Sequence, residues 1–150
     1  MLMNHPRPPH QTHTDAGLAA VLRVAVGRLA RRLRAQRPTS LSLGQSAVLY
    51  TLIRQGQLTP GALAEHEKVQ PPSMTRIIAG LEERGLIRRT RHPQDRRQQL
   101  VDLTQEGRDL VRADQRLREA WLTRQLQDLP AEEKETLRKA AEILERLSQS

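Results

Sequence analysis

The sequence has no cysteine and almost no aromatic residues: it contains one tyrosine, one tryptophan and no phenylalanine among 150 residues. The missing cysteines exclude disulfides, thiolate metal sites and redox sensing by cysteine. A protein that binds single-stranded nucleic acid by stacking bases needs aromatic platforms, so that mode of binding is disfavoured. Leucine, isoleucine, valine and alanine must therefore form the hydrophobic core.

Long apolar runs are also missing. The first apolar run, Ala16–Leu22, follows Asp15 and is broken by Arg23. It is too short to span a bilayer and makes a poor signal-peptide core. We therefore expect a cytoplasmic protein with no membrane partner.

The formal net charge is +8 and the isoelectric point is about 11.2, mostly because of arginine. A strong positive charge favours a nucleic acid or another anionic surface as partner, and arginine can hold phosphate or guanine through two hydrogen bonds. A genome rich in G and C also raises the arginine content of every protein. The local clusters of arginine are therefore more informative than the composition.

Residues 1–14 are rich in proline and histidine and are predicted to form a disordered tail. The spacing of its histidines matches no compact ligand pattern, so no metal or cofactor is expected. These histidines are His5, His10 and His13.

A helix is predicted from Asp15, as N-cap, to about Gln36, with Pro38 ending it. Its polar side is basic, and twenty residues are more than one small domain can cover, so a partner helix from a second chain is expected. The apolar positions of this helix are Leu18, Val21, Leu22, Ala25, Leu29 and Leu33.

Three short helices are predicted next. Ser42 and Gln45 form a capping-box pattern at the start of the first, which ends near Gly56. Thr59 and Pro60 then start a second helix that runs to about Glu67. A tight turn at residues 68–70 leads into a third helix that Gly85 closes, and two such helices joined by a turn form a helix-turn-helix unit.

The third helix is amphipathic and leaves one face free. Its apolar residues recur at i, i+3, i+4 and i+7, which places them on one side; they are Met74, Ile77, Ile78 and Leu81. The opposite side is small or polar and suits contact with an external partner; it carries Pro72, Arg76, Ala79 and Glu83.

A β-hairpin is predicted after this helix, with strands at Leu86–Thr90 and Gln98–Leu103 and a turn at residues 92–95. Six arginines fall between Arg84 and Arg97, with Asp95 as the single acid. Phosphate would repel Asp95, so its expected role is to orient a neighbouring arginine through a bidentate pair. A merely solvated basic turn is the alternative reading of this cluster.

Two helices are predicted to follow the hairpin. Thr104 caps the first, which runs to about Leu129, and the second starts after Pro130 and continues almost to the end. Residues 15–37 and 105–150 can cover each other only by packing together, so we expect a helical dimerisation lobe across a two-fold axis.

On duplex DNA, the second helix of a helix-turn-helix enters the major groove with its N-terminal residues first. Ser73 and Thr75 suit phosphate, and Arg76 suits a guanine edge. Gln70 suits adenine or is only a turn residue. An arginine at the hairpin tip can enter a narrow minor groove. The predicted DNA-binding residues are Gln70, Pro72, Ser73, Thr75, Arg76, Arg91, Asp95, Arg96 and Arg97.

The segment from Asp95 to Thr104, DRRQQLVDLT, resembles the D-x-R-x5-L-T wing signature of the MarR family of bacterial transcriptional regulators. The stretches SMTR (residues 73–76) and LEERGLI (residues 81–87) are similar to that family's recognition helix and its exit into the wing. The resemblance covers roughly residues 15–147 and is sharpest over residues 63–107.

The resemblance implies a mainly α protein with a small β-hairpin wing: a winged helix-turn-helix DNA-binding lobe at residues 42–104, joined to a helical dimerisation lobe within a single unit of residues 15–150. It implies a homodimer on a pseudo-palindromic operator, with Arg97 in the minor groove and Asp95 as its orienting acid. It also implies a repressor of a nearby operon that a small-molecule ligand releases.

Three other functions are alternatives to this one. An enzyme is disfavoured because no catalytic constellation is found: His66 is expected to face solvent, and His92 is either a phosphate contact or a turn residue. A non-specific architectural DNA-binding protein without a ligand would use the same wing. A winged helix that binds only proteins is disfavoured by the density of arginine.

Overall fold

The computed structural model of the protein describes residues 13–36 and 41–150. Six helices and one hairpin follow in the order α1 (Asp15–Arg34), α2 (Leu43–Gln55), α3 (Pro60–Glu67), α4 (Pro71–Glu83), β1 (Ile87–Arg91), β2 (Gln99–Leu103), α5 (Gln105–Gln127) and α6 (Ala131–Ser148). The expected fold class, mainly helical with a small β-hairpin, is confirmed. Most of the predicted tail, with His5 and His10, and the predicted helix stop at Pro38 lie outside the described residues.

The chain divides into two compact units. The central unit comprises residues 38–117, and the terminal unit combines residues up to 37 with residues from 118 onward. Helix α5 begins in the central unit and ends in the terminal unit.

The central unit has an aliphatic core, as the shortage of aromatic residues required. Met74, Ile78 and Leu81 of α4 are buried in it, and Ile77 packs against it. The opposite side of α4 is exposed at all four predicted positions. The amphipathic pattern therefore predicted the orientation of α4 correctly. The other buried core residues are Val48, Leu49, Leu52, Leu63, Ala64, Leu86, Ile87, Val101, Leu103 and Val111.

Local capping bonds fix where these helices start and stop. At α2, the Ser42 hydroxyl accepts from the Gln45 N–H and the Gln45 side chain accepts from the Ser42 N–H, both at 3.1 Å. At α3, the Thr59 hydroxyl accepts from the Ala62 N–H at 3.1 Å. These capping bonds satisfy N–H groups that have no partner inside the helix.

The predicted N-cap of α1 was wrong by one residue. Thr14 is the N-cap, and its hydroxyl accepts from the Gly17 N–H at 3.0 Å, while Asp15 is the first helical residue. Both arrangements suit the local chemistry, because an acid in the first turn also favours the positive end of the helix.

Helix α4 ends in a Schellman motif, in which the N–H of Gly85 bonds to the carbonyl of Glu82 and the N–H of Leu86 bonds to the carbonyl of Leu81. Gly85 has a φ of 72°, which glycine adopts without strain. Leu86 is therefore part of the helix cap. This is why β1 starts at Ile87, one residue later than the sequence predicted.

The two strands of the hairpin pair antiparallel, from Ile87 opposite Leu103 to Arg91 opposite Gln99. Leu58, just before α3, adds an isolated bridge to Val101, with N–H···O bonds of 3.1 and 2.8 Å. This bridge brings the start of α3 beside the stem of the hairpin.

Buried polar contacts connect the helices of the central unit. The Tyr50 hydroxyl donates to the buried carboxylate of Asp114 at 2.6 Å, which joins α2 to α5. The Thr51 hydroxyl donates to Glu67, which joins α2 to α3. Buried polar groups of this kind are costly unless paired, so both bonds favour one arrangement of the helices.

The terminal unit buries much less. No residue of α1 or α6 is fully buried within the described chain. Leu29, Leu122, Leu137 and Leu144 help to line an apolar groove of about 420 Å³, and Leu147 is 58 % exposed. None of the described helices is both long and apolar enough to cross a membrane.

Candidate nucleic-acid interface

The N-terminal half of α4 presents its predicted contact residues to solvent. Pro72, Ser73, Thr75 and Arg76 are all exposed, and so is Gln70, which occupies the N-cap position without a side-chain capping bond. These side chains are therefore available to an external partner. Their contacts with DNA stay a prediction.

Thr75 differs in one respect from the predicted use of its hydroxyl. The hydroxyl donates to the carbonyl of Pro71 at 3.0 Å, one helical turn earlier. A hydroxyl has a single proton, so it must leave this bond before it can donate to a phosphate. Ser73 has no such bond to a described residue.

The arginines of the hairpin fall into two groups. Arg89 forms an ion pair with Glu82 of α4, with an Nε–Oε2 distance of 2.8 Å, and this pair links the strand to the helix. Arg88, Arg91, Arg96 and Arg97 are exposed and make no ion pair with any described residue. The last three line one groove, and we call them the free wing arginines.

Asp95 acts on Arg97, but not through the predicted bidentate pair. Its carboxylate accepts from the backbone N–H of Arg97 at 3.0 Å, and it makes no ion pair with an arginine side chain among the described residues. The predicted pairing was wrong because a short Asx-type turn brings the backbone amide closer than any guanidinium. Asp95 therefore fixes the backbone from which Arg97 projects.

His92 has a structural role at the base of the same loop. Its ring Nδ1 accepts from the backbone N–H groups of Gln94 and Asp95, at 3.1 and 3.3 Å. The backbone N–H of His92 donates to the carbonyl of Gln98. Of the two readings of His92 from the sequence, the turn residue agrees with this geometry. His66 is exposed, as expected.

The free wing arginines line one side of an open groove of about 650 Å³, which we call the wing groove. Thr59, Pro60 and Gly61 at the start of α3 line its other side. This arrangement could not be predicted from the sequence, because the bridge between Leu58 and Val101 that creates it joins residues 43 positions apart.

A second open recess, of about 420 Å³, lies at the helix-turn-helix turn, and we call it the turn recess. Lys68 and Gln70 line it together with Pro71, the first residue of α4. Lys68 has a left-handed φ of 53°, which reverses the chain between α3 and α4. The turn recess therefore adds a cation and an amide next to the exposed face of α4.

This arrangement suits a duplex polyanion. A helix with a free polar face can enter a major groove, and exposed arginines on a hairpin can contact phosphates and reach a minor groove. The described part of the central unit thus combines an exposed polar helix face with an exposed group of arginines.

The single tyrosine and the single tryptophan of the chain belong to different units. Tyr50 lines a small apolar cavity of the central unit and is bonded to Asp114, so its hydroxyl serves the core. In the terminal unit, the guanidinium of Arg32 lies 5.4 Å from the centre of the Trp121 ring. Arg28 lies one turn from Arg32 and lines the same recess of about 410 Å³.

Comparisons with known proteins agree with this geometry. A family model described as the MarR family matches residues 41–98. An uncharacterized HTH-type transcriptional regulator of Mycobacterium leprae is 48 % identical over 132 residues, which cover 87 % of this chain and 92 % of that protein. A similar regulator of Mycobacterium tuberculosis is 47 % identical over the same shares of the two chains.

Solved structures show the same fold. A putative transcriptional regulator from Pseudomonas aeruginosa is 33 % identical, with a TM-score of 0.80 over 95 % of this chain and 99 % of that one. A MarR family protein from Bacillus stearothermophilus, at 21 % identity, has a TM-score of 0.79 over 90 % of this chain and 95 % of that one. With its exposed α4 face and its basic wing, this chain belongs to the MarR family of helix-turn-helix transcriptional regulators.

Proposed function

We propose that the protein binds one pseudo-palindromic operator as a homodimer, represses a nearby operon and is released by a small-molecule ligand. The observation that carries the DNA-binding part is the presence, on one compact unit, of an exposed α4 face and of the free wing arginines, which have no ion-pair partner among the described residues. A protein that used the central unit only for packing would have no need of either surface.

The protein contacts DNA with two elements, the helix α4 and the hairpin. Arg76 of α4 reads the major groove, where a bidentate arginine–guanine pair discriminates by about 1–3 kcal/mol, and Ser73 holds a phosphate at the start of that helix. Arg97 enters the adjacent minor groove, while Arg91 and Arg96 hold phosphates. Because the two subunits of a dimer are related by a two-fold axis, their half-sites lie about one helical turn, roughly 10 bp, apart.

The terminal unit supplies the dimer contact. Its apolar groove and the exposed leucines of α1 and α6 leave apolar side chains of both helices in contact with water, and exposed apolar patches mark interaction sites. A second copy of the same chain offers the matching helices, and two-fold pairing lets the same surface serve both partners.

The ligand part of the proposal rests on one recess of the terminal unit. Arg28, Arg32 and Trp121 place two cations and one aromatic ring around a recess of about 410 Å³, which is large enough for a small anion with an apolar body. A thermal-shift screen of small anionic compounds, with benzoate as the first probe, tests this. A rise in melting temperature that the Arg32→Gln variant lacks supports the site, and identical shifts in both proteins refute it.

Footprinting on the DNA that flanks the gene tests the DNA-binding part. We expect protection of one short pseudo-palindrome, at concentrations where unrelated DNA of the same length stays unprotected. Uniform coverage of every fragment would instead identify a non-specific architectural DNA-binding protein. Addition of a ligand that shifts the melting temperature is expected to remove the protection.

A further inference from the structure

The wing groove and the turn recess share one residue, Gly61 in the first turn of α3. On one side of Gly61 lie the free wing arginines, and on the other lie Lys68, Gln70 and the first residue of α4. The surface therefore runs without interruption from the wing, across the start of α3, to the start of the recognition helix.

Duplex DNA dictates what crosses such a surface. Its major and minor grooves are separated by a single phosphodiester strand. If α4 occupies the major groove and the wing reaches the adjacent minor groove, that strand must pass over the element that lies between them. We infer that the strand crosses the protein at Gly61, and that this glycine lets it approach the backbone of α3 closely. The inference rests on the proposed DNA binding and adds a contact to it.

The conformation of Gly61 shows that the fold itself does not require a glycine there. The residue is exposed, its backbone is helical, and a Cβ atom built on it meets nothing within 4 Å. Glycine weakens a helix by up to about 1 kcal/mol relative to alanine. A position where a side chain would fit the free protein, and would even strengthen the helix, is explained by a partner that needs the space.

The charges around Gly61 favour a phosphodiester strand. Arg91, Arg96 and Arg97 are exposed in the wing groove, and Lys68 is exposed in the turn recess. Glu65 is the only acid among the residues that line either one. A strand that crosses here would have cations on both sides, which is the arrangement that neutralises phosphates and releases counterions.

Two substitutions test separately how the open space at Gly61 and the positive charge around it contribute to operator binding. Gly61→Ala adds one methyl group, and Gly61→Asp adds a negative charge in the first turn of α3, where an acid favours the helix dipole. We expect both variants to be at least as stable as the wild type in thermal unfolding. In gel shifts with the operator at about 0.1 M salt, Gly61→Asp should bind about tenfold more weakly and Gly61→Ala should show a smaller loss.

The matched control is Ala131→Asp, which adds the same charge to the exposed first turn of α6. It should bind the operator as the wild type does. The loss in Gly61→Asp should also shrink as salt is added, because the repulsion is screened.

The results distinguish this inference from the function on which it rests. Normal binding by Gly61→Asp, with binding lost in Arg97→Ala, would overturn the strand crossing and leave the DNA-binding proposal intact. An equal loss in Ala131→Asp would overturn it too, since any added acid would then act alike. Normal binding in both Gly61→Asp and Arg97→Ala would count against the DNA interface as a whole.

Discussion

At Gly107, in the first turn of α5, the fold leaves no space for a side chain. A Cβ atom at this position would lie 2.1 Å from the carbonyl oxygen of Leu86 and 3.2 Å from the side chain of Leu103. The oxygen and the Cβ must separate by about 0.9 Å before they reach 3.0 Å, the shortest contact that real Cβ atoms tolerate. Substitution by alanine therefore forces α5 away from the hairpin.

The expected loss in the free energy of unfolding follows from the hydrogen bond and the packing that this movement disturbs. The Leu86 carbonyl accepts the N–H of Thr104 at 3.1 Å, and Leu86 itself is only 7 % exposed. Overpacking costs about 1–3 kcal/mol, and a weakened buried hydrogen bond adds roughly 1–3 kcal/mol. The better helix propensity of alanine returns about 1 kcal/mol. We expect Gly107→Ala to lower the free energy of unfolding by about 3 kcal/mol.

Urea unfolding followed by circular dichroism measures this loss. At equal protein concentrations, the melting temperature should also fall by roughly 10 °C. Gly61→Ala is the matched control, because a Cβ at Gly61 in the first turn of α3 meets nothing within 4 Å. That variant should be as stable as the wild type or up to about 1 kcal/mol more stable. A Gly107→Ala protein that unfolds at the wild-type urea concentration would refute the steric reasoning.

Two further predictions test the wing loop and the dimer. Asp95→Ala should bind the operator more weakly although it removes a negative charge, because the backbone N–H of Arg97 loses its acceptor. Gel shifts would reveal the change, with Glu106→Ala, at an exposed position, as the control. Tighter binding by Asp95→Ala would contradict the capping role of Asp95. Deletion of Pro130–Ser150 should convert the dimer into a monomer with a folded central unit, as measured by sedimentation and circular dichroism, and a stable dimer after the deletion would refute the terminal interface.

Local signals in the sequence predicted much of the fold. The Ser42–Gln45 capping box, the Thr59–Pro60 helix start and the glycine at position 85 depend on neighbours within a few residues, and all three were confirmed. The apolar spacing of α4 likewise predicted which side is buried, because that spacing reflects the helix period itself.

Contacts between distant residues could not be predicted in the same way. The ion pair of Arg89 with Glu82 and the bond of Tyr50 to Asp114 arise only when hairpin and helices pack. Gly107 lies early in its helix, but the Leu86 carbonyl that requires a glycine there lies 21 residues earlier in the sequence. The role of Asp95 was half right: the sequence connected it to Arg97 but did not show that the contact is with the backbone.

In the candidate interface, too, local features could be predicted from the sequence and contacts between distant residues could not. All nine predicted DNA-binding residues are exposed in the central unit, since polar residues on a short helix and a hairpin tip are readily recognised from the sequence. The position of Gly61 between the wing and the turn depends on the bridge of Leu58 to Val101, which no local pattern indicates.

The affinity of the Arg97→Ala variant for the operator tests the central claim most directly. Arg97 is exposed, makes no ion pair with a described residue and lines the wing groove, so its removal should not disturb the fold. Arg54→Ala removes the same charge from the exposed end of α2 and serves as the control. We predict a severe loss of operator binding for Arg97→Ala, with dimer and helicity intact, and normal binding for Arg54→Ala. Gel shifts in which Arg97→Ala binds like the wild type would contradict the claim that this wing reads DNA.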